Sequence, residues 1–186
     1  HDVRVVGGQF VEARLGGATF TGASFDRCTF VETDLRGVAL PRSITKCLFE
    51  RCQLGPASLA GAKDLAGVEL SGDSLEGIDL EGADLSGSIL RGVNLRRANL
   101  RRANLERAML AGSDLEGALL DGAKLYFTTL TSAKLAGVDL SGRELEMCNF
   151  TRADLSRANL SGLIADKCDF SEADLMGATF ARAHLQ

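Results

Sequence analysis

From Leu65 to Leu185 every fifth residue is leucine or phenylalanine, Ala165 being the exception. Phe10, Leu15, Phe20, Phe25, Phe30, Leu35 and Leu40 keep the same phase, while Ile44, Phe49, Leu54 and Leu59 fall one residue early. A one-residue deletion and a one-residue insertion therefore bracket residues 41–64, which also hold both prolines, Pro41 and Pro56. This period excludes most folds. Five residues advance an α-helix by about 500°, equivalent to about 140°, so successive leucines would not share a face. One long strand fails as well, because an odd spacing alternates faces.

A second position resolves the problem. Two residues before each large centre stands a small one, as at Ala83, Val93, Ala98, Ala103, Ala108 and Cys148. The inward spacing is thus two, then three: a short extended stretch followed by a turn. A chain that turns the same way every five residues closes a square after four repeats, giving twenty residues per coil. Residue n should then stack on n+20. Arg96 falls between Glu76 and Glu116, and Arg101 between Glu81 and Asp121, the opposite-charge ladders that neighbouring strands favour. Asn94, Asn99 and Asn104 are expected to bond turn backbone groups, as Asx side chains do.

The motif Ala-(Asp/Asn)-Leu-x-x, seen in Ala83-Asp84-Leu85-Ser86-Gly87 and Ala98-Asn99-Leu100-Arg101-Arg102, resembles that of the pentapeptide repeat family, and the resemblance covers essentially the whole chain. It implies an all-β fold, a right-handed quadrilateral parallel β-helix. About nine coils, spaced by the usual ~4.8 Å between strands, make a rod on the order of 40 Å long. The expectation is one domain over residues 1–186, belonging to a larger bacterial protein, since the sequence opens at His1 and no capping helix follows Phe180. Open coil ends need covering by flanking domains or by end-to-end pairing of two copies.

Composition narrows the function. With 45% hydrophobic residues a real core is available, and a net charge of −4 gives no global basic character for nucleic acid. No apolar run reaches the length of a membrane span, and a cytoplasmic protein, or a secreted effector, is expected. The five cysteines all occupy the small inward position, where packing as reduced thiols is the simplest role. The two histidines, His1 and His184, stand at the chain ends, too far out for a cysteine–histidine or serine–histidine pair. No phosphate loop or metal motif occurs. No enzyme activity and no cofactor are expected.

Several features rise above the repeat. An arginine belt (Arg91, Arg96, Arg97, Arg101, Arg102 and Arg107) circles most of one coil. Arg97 and Arg102, whose coil neighbours are glycines, are its candidates for contact with an acidic partner or phosphate. Tyr126 and Phe127 stand together at outward positions, with Met147 expected one coil above and Arg107 one coil below, the composition of a contact hot spot. Asp73 and Arg143 put charges at inward positions, where local bulges are expected to turn them out. Leu163 before Ala165 reads as a large-for-small exchange in the core. The favoured function is a non-catalytic protein–protein interaction scaffold, with secretion-system accessory proteins or effectors as the setting the resemblance implies. The alternative it implies is a DNA mimic that binds DNA gyrase or topoisomerase IV and confers resistance to quinolones or related toxins.

Overall fold

The structure is a computed structural model that describes residues 3–186; His1 lies outside the described residues. Its elements are short: β1 (Val3–Val6), β2 (Gln9–Val11), β3 (Ala23–Asp26), β4 (Thr29–Val31), β5 (Ser43–Thr45), β6 (Leu48–Glu50), α1 (Pro56–Leu59), β7 (Glu69–Ser71), β8 (Ile89–Arg91), β9 (Glu144–Glu146), β10 (Ile164–Asp166) and β11 (His184–Leu185). All strand pairs are parallel, and isolated bridges such as Asp84↔Asn104 and Asn104↔Lys124 continue the ladders at a step of twenty. The chain is a quadrilateral parallel β-helix of about nine coils. The centres fill its axis: Phe30, Leu65, Leu100, Leu130 and Phe150 are all buried, and Leu163 and Ala165 are buried together.

The Asx residues lock each coil to itself and to its neighbour. Asn94, Asn99 and Asn104 each accept, through Oδ1, the backbone N–H two residues on, at 3.0–3.3 Å. Asn99 and Asn104 also donate down the column to Asp79 and Asp84, at 2.9 and 3.1 Å. One side chain thus serves both the turn and the ladder, which is why the position before the centre favours Asx.

Residues 41–64 change the register twice. Phe25 pairs with Ile44, a step of nineteen, and Leu48 with Glu69, a step of twenty-one. The lost residue comes from the corner at Pro41, whose buried ring sits where the next turn begins. The extra residue is a bulge: the N–H groups of Lys63 and Asp64 both donate to the carbonyl of Arg42, at 2.8 and 3.0 Å. Between them α1 makes one helical turn, turning Ser58 inward to donate to the Leu35 carbonyl at 2.6 Å.

The corners come in two forms. In most, the N–H three residues after a centre donates to the centre's carbonyl, as Ala98 does to Leu95 at 3.0 Å, with the residue two after the centre at positive φ: a type II turn. The turns that precede Cys28, Cys47, Cys52, Cys148 and Cys168 lack this bond. Instead the thiol donates to the carbonyl two residues back, at 3.4–3.7 Å, and Thr33 does the same to Val31 at 3.0 Å. An opened turn rotates that carbonyl inward, and a buried acceptor needs a donor. The cysteines supply it. Burial pushes the Cys47 thiol up to about 12, so it stays protonated and able to donate.

Candidate protein-binding surface

The corner position two places after each centre adopts φ of +48° to +84° nearly throughout, a region that suits glycine and strains bulky side chains. Glycine fills many of these corners. Where it does not, the occupants are mostly arginine, with lysine, glutamate and Ser132 at others. The large apolar residues among them are Phe127 (φ 58°) and Met147 (φ 51°), in the same column on adjacent coils. A phenylalanine there is held at an unfavourable backbone geometry while its side chain stays partly exposed, so neither local preference nor core packing accounts for it.

Around these two the surface is continuous. Phe127 is 38% exposed, Met147 44% and Ile164 43%, and Tyr126 is half buried beside them. The Arg107 guanidinium lies 5.5 Å from the centre of the Phe127 ring, a cation–π contact, and 3.9 Å from Glu106. Tyr126 forms a ridge between two shallow depressions. One, of about 200 Å3, is lined by Tyr126, Glu144, Leu145, Glu146, Ile164 and Asp166. The other, of about 290 Å3, is lined by Lys124, Arg143 and Glu144 and by the corners at Gly122 and Gly142. The structure thus brings Tyr126, Phe127, Met147 and Arg107 together. Ile164 and the Glu144–Glu146 pair were missed from sequence, although an isoleucine where the repeat prefers Asx was a usable signal.

The arginine belt looks different in three dimensions. Arg97 and Arg102 reach diagonally to Glu76 (3.3 Å) and Glu81 (2.9 Å), so the two arginines read as free are paired. Those carboxylates are thereby taken from Arg96 and Arg101. Arg96 turns to Glu116, with Asp114 at 3.5 Å, and Arg101 to Asp121 at 3.0 Å. A corner residue leans sideways along the rod, which a straight n+20 count does not capture. Arg97 and Arg102 are thus each paired on the exposed surface, and Arg102 lies against the Gly122 corner that borders the second depression.

Asp73 and Arg143 do not bulge out. The ladder stays in register beside each, with Ser74 bridged to Asn94 and the Ile164 N–H bonded to the Arg143 carbonyl at 2.8 Å. Both are half buried. Arg143 donates to the Leu120 carbonyl one coil back. Asp73 has a more specific role. The displaced block breaks the ladder between Gln53 and Ser74, and among the described residues the Leu54 N–H finds no backbone carbonyl. The Leu54 N–H lies beside the Asp73 carboxylate and favours its charged form, but burial outweighs it and raises the Asp73 pKa. A charge at an inward position is thus tolerated because the phase shift leaves an orphan donor next to it.

Among the described residues no cluster of three or more His, Cys, Asp or Glu side chains could hold a metal ion, and no helix is long and apolar enough to cross a membrane. Comparison with known proteins matches the chain to the family model described as pentapeptide repeats, in 8 copies over residues 9–44, 64–102, 98–135, 133–171 and 153–186. The unmatched internal stretch, residues 45–63, falls within the displaced block. No curated protein matches the chain significantly. Solved structures do. HetL, a pentapeptide repeat protein involved in heterocyst differentiation regulation from the cyanobacterium Nostoc sp. strain PCC 7120, is 23% identical, with 98% of this chain and 87% of that chain covered and a TM-score of 0.48. QnrB1, a plasmid-mediated fluoroquinolone resistance protein, is 17% identical over 98% of this chain and 91% of its own, with a TM-score of 0.44. A pentapeptide repeat protein from the Arabidopsis thaliana thylakoid lumen is 28% identical over 63% of this chain and 68% of that chain, with a TM-score of 0.31.

Proposed function

The chain belongs to the pentapeptide repeat family, and from that premise we propose that it is a non-catalytic protein–protein interaction scaffold whose contact surface is the Tyr126–Phe127–Met147 patch. The observation that carries this reading is the pair of large apolar side chains at Phe127 and Met147, held at strained corners and left partly exposed. Backbone strain of this kind persists where function keeps it. The coil architecture suits such a role, because every coil is bonded to the next, so a face is preorganised and little ordering entropy is lost on binding. Arg107, stacked on Phe127, completes a surface of the type that contributes most to binding. A larger bacterial protein, such as a secretion-system accessory protein or effector, is the setting that fits this reading.

The DNA-mimic alternative finds less support. A mimic of a phosphate backbone needs a sustained negative face, whereas here acidic ladders alternate with arginines at Arg96, Arg97, Arg101, Arg102, Arg152 and Arg157. Affinity capture from a bacterial lysate, comparing the wild type with Phe127→Gly/Met147→Gly, separates the two. Glycine is the residue these corners favour, so the variant keeps its fold. Loss of a captured protein with the variant supports the scaffold. Equal capture of gyrase or topoisomerase subunits by both would instead support mimicry.

A further inference from the structure

The patch carries information about its partner in the charges that border it. On the C-terminal side of Tyr126 the depression has two kinds of wall. Tyr126, Leu145 and Ile164 are apolar; Glu144, Glu146 and Asp166 are carboxylates. Glu144 and Glu146 form no ion pair among the described residues, in contrast to the paired acids of the arginine belt. Asp166 is 3.6 Å from Lys167. The other cations facing this region are Arg107, occupied by Phe127 and Glu106, and Lys124 and Arg143, which line the depression on the far side of Tyr126. An apolar ridge beside two unpaired glutamates therefore faces solvent on one flat side of a rigid coil.

Resting on the scaffold reading, we propose that the partner is a protein segment that lays a lysine or arginine side chain into this depression and an adjoining apolar side chain over Phe127 and Met147. The aliphatic stem of the basic residue packs against the Tyr126 ring and Ile164, and its cationic head reaches Glu144, Glu146 and Asp166. The partner runs across the face and adds no strand to it, because the backbone groups here are already bonded to the neighbouring coils: the Phe127 N–H donates to Glu146, the Met147 N–H to Asp166, and Ile164–Asp166 pairs with Glu144–Glu146. Recognition consequently lies in side chains. Uncompensated carboxylates also repel acidic partners, which gives the surface selectivity as well as attraction.

The test is selection of a displayed random-peptide library on the immobilised chain, with counter-selection on Tyr126→Ala/Phe127→Gly, followed by binding titrations of the enriched peptides. The expected result is enrichment of Lys or Arg next to Leu, Ile, Phe or Met. Wild-type affinity should fall as salt is raised, as exposed ion pairs require, and should fall about fivefold in Glu144→Gln/Glu146→Gln, whose remaining salt response should be smaller. Phe127→Gly should weaken binding at least tenfold with the salt response of the residual binding unchanged. Enrichment of neutral or acidic peptides that still need Tyr126 and Phe127 would overturn the basic-partner inference and leave the scaffold surface standing. If every peptide that binds the wild type is lost in the counter-selection, so that none depends on Tyr126 and Phe127, both are overturned.

Discussion

The first three coils and the middle coils solve one packing problem by different means. In the first, phenylalanines fill the axis: Phe30 lies between Phe10 and Phe49 with ring centroids 4.5 and 4.8 Å apart and planes nearly parallel, and Phe25 packs against Phe10, Phe20 and Phe30. Among the small positions there, thiols and Thr33 follow open turns, while Ala18, Ala23 and Val38 follow closed ones. In the middle, leucines fill the axis, alanines the small positions, and the turns are closed by backbone bonds. Leu105 to Leu140, with Phe150, leave an apolar void of about 10 Å3 between them. The lesson is that centre and corner are coupled. Open turns run in columns, from Gly8 through Cys28 to Cys47 and from Ala13 through Thr33 and Cys52 to Asp73, and each column ends where the next coil closes its turn, at Val68 and at Val93.

Substitution at the axis tests this coupling most severely. Phe30→Ala removes the middle ring of a three-ring stack, and its expected cost is about 3–5 kcal/mol. Leu105→Ala, beside the existing void, should cost about 2–5 kcal/mol and toward the lower end, because part of its surroundings is already empty. Denaturant unfolding of both variants checks the order. An equal loss would mean that the aromatic stack adds nothing beyond buried area.

Asp73 marks the boundary between the two regions, where the displaced block ends. Asp73→Asn keeps an acceptor for the Leu54 N–H without a buried charge and should leave stability unchanged or slightly raised at neutral pH. Asp73→Val should lose about 1–2 kcal/mol by orphaning that N–H. The pH dependence has a definite sign. Burial raises the folded carboxyl above 3.8. The folded state therefore holds this proton more tightly, and its penalty is present in full above the folded value and vanishes below 3.8. Stability of the wild type relative to Asp73→Asn should rise as the solution is acidified through that window. A flat difference would place Asp73 in solvent, and a falling one would mean that the Leu54 N–H outweighs burial.

Much of this was legible in the sequence because the repeat is a register: the period gave the coil, and the coil gave the columns, the Asx ladder and the position of Tyr126, Phe127, Met147 and Arg107. Three things were not legible. The ion pairs of Arg97 and Arg102 were hidden because a positive-φ corner aims its side chain diagonally, and only backbone geometry reveals that. Asp73 was misjudged because its partner, the Leu54 N–H, is orphaned by a break in a ladder that residue types do not display. The role of the cysteines was hidden because an inward carbonyl exists only once the turn opens, so their sequence position showed packing alone.

Ser88 gives a smaller effect in the middle region. Its hydroxyl is buried and lacks a hydrogen-bond partner, unlike Ser113, which donates to Leu110 at 2.7 Å, and Thr128, which donates to Leu105 at 2.9 Å. Ser88→Ala matches the alanine rule of these coils and should stabilise by about 1 kcal/mol, read as a higher denaturation midpoint. The same change at Ser113 should destabilise.

The smallest expected effect addresses the corner itself. Val68 stands directly above Cys47, yet its turn is closed, with its N–H 3.1 Å from the Leu65 carbonyl. If the inward side chain selects the turn and the neighbour supports it, Val68→Cys should carry the open column one coil further, at a stability change within about 1 kcal/mol. Hydrogen exchange at residue 68 reports the switch: protection by the Leu65 carbonyl should disappear while neighbouring coils keep theirs. Val68→Ala is the control, expected to remain closed. If both variants stay closed, the thiol does not open a turn by itself. The open columns would then follow from the phenylalanines on the axis, whose rings displace the corner outward, and the cysteines would be a response to that displacement.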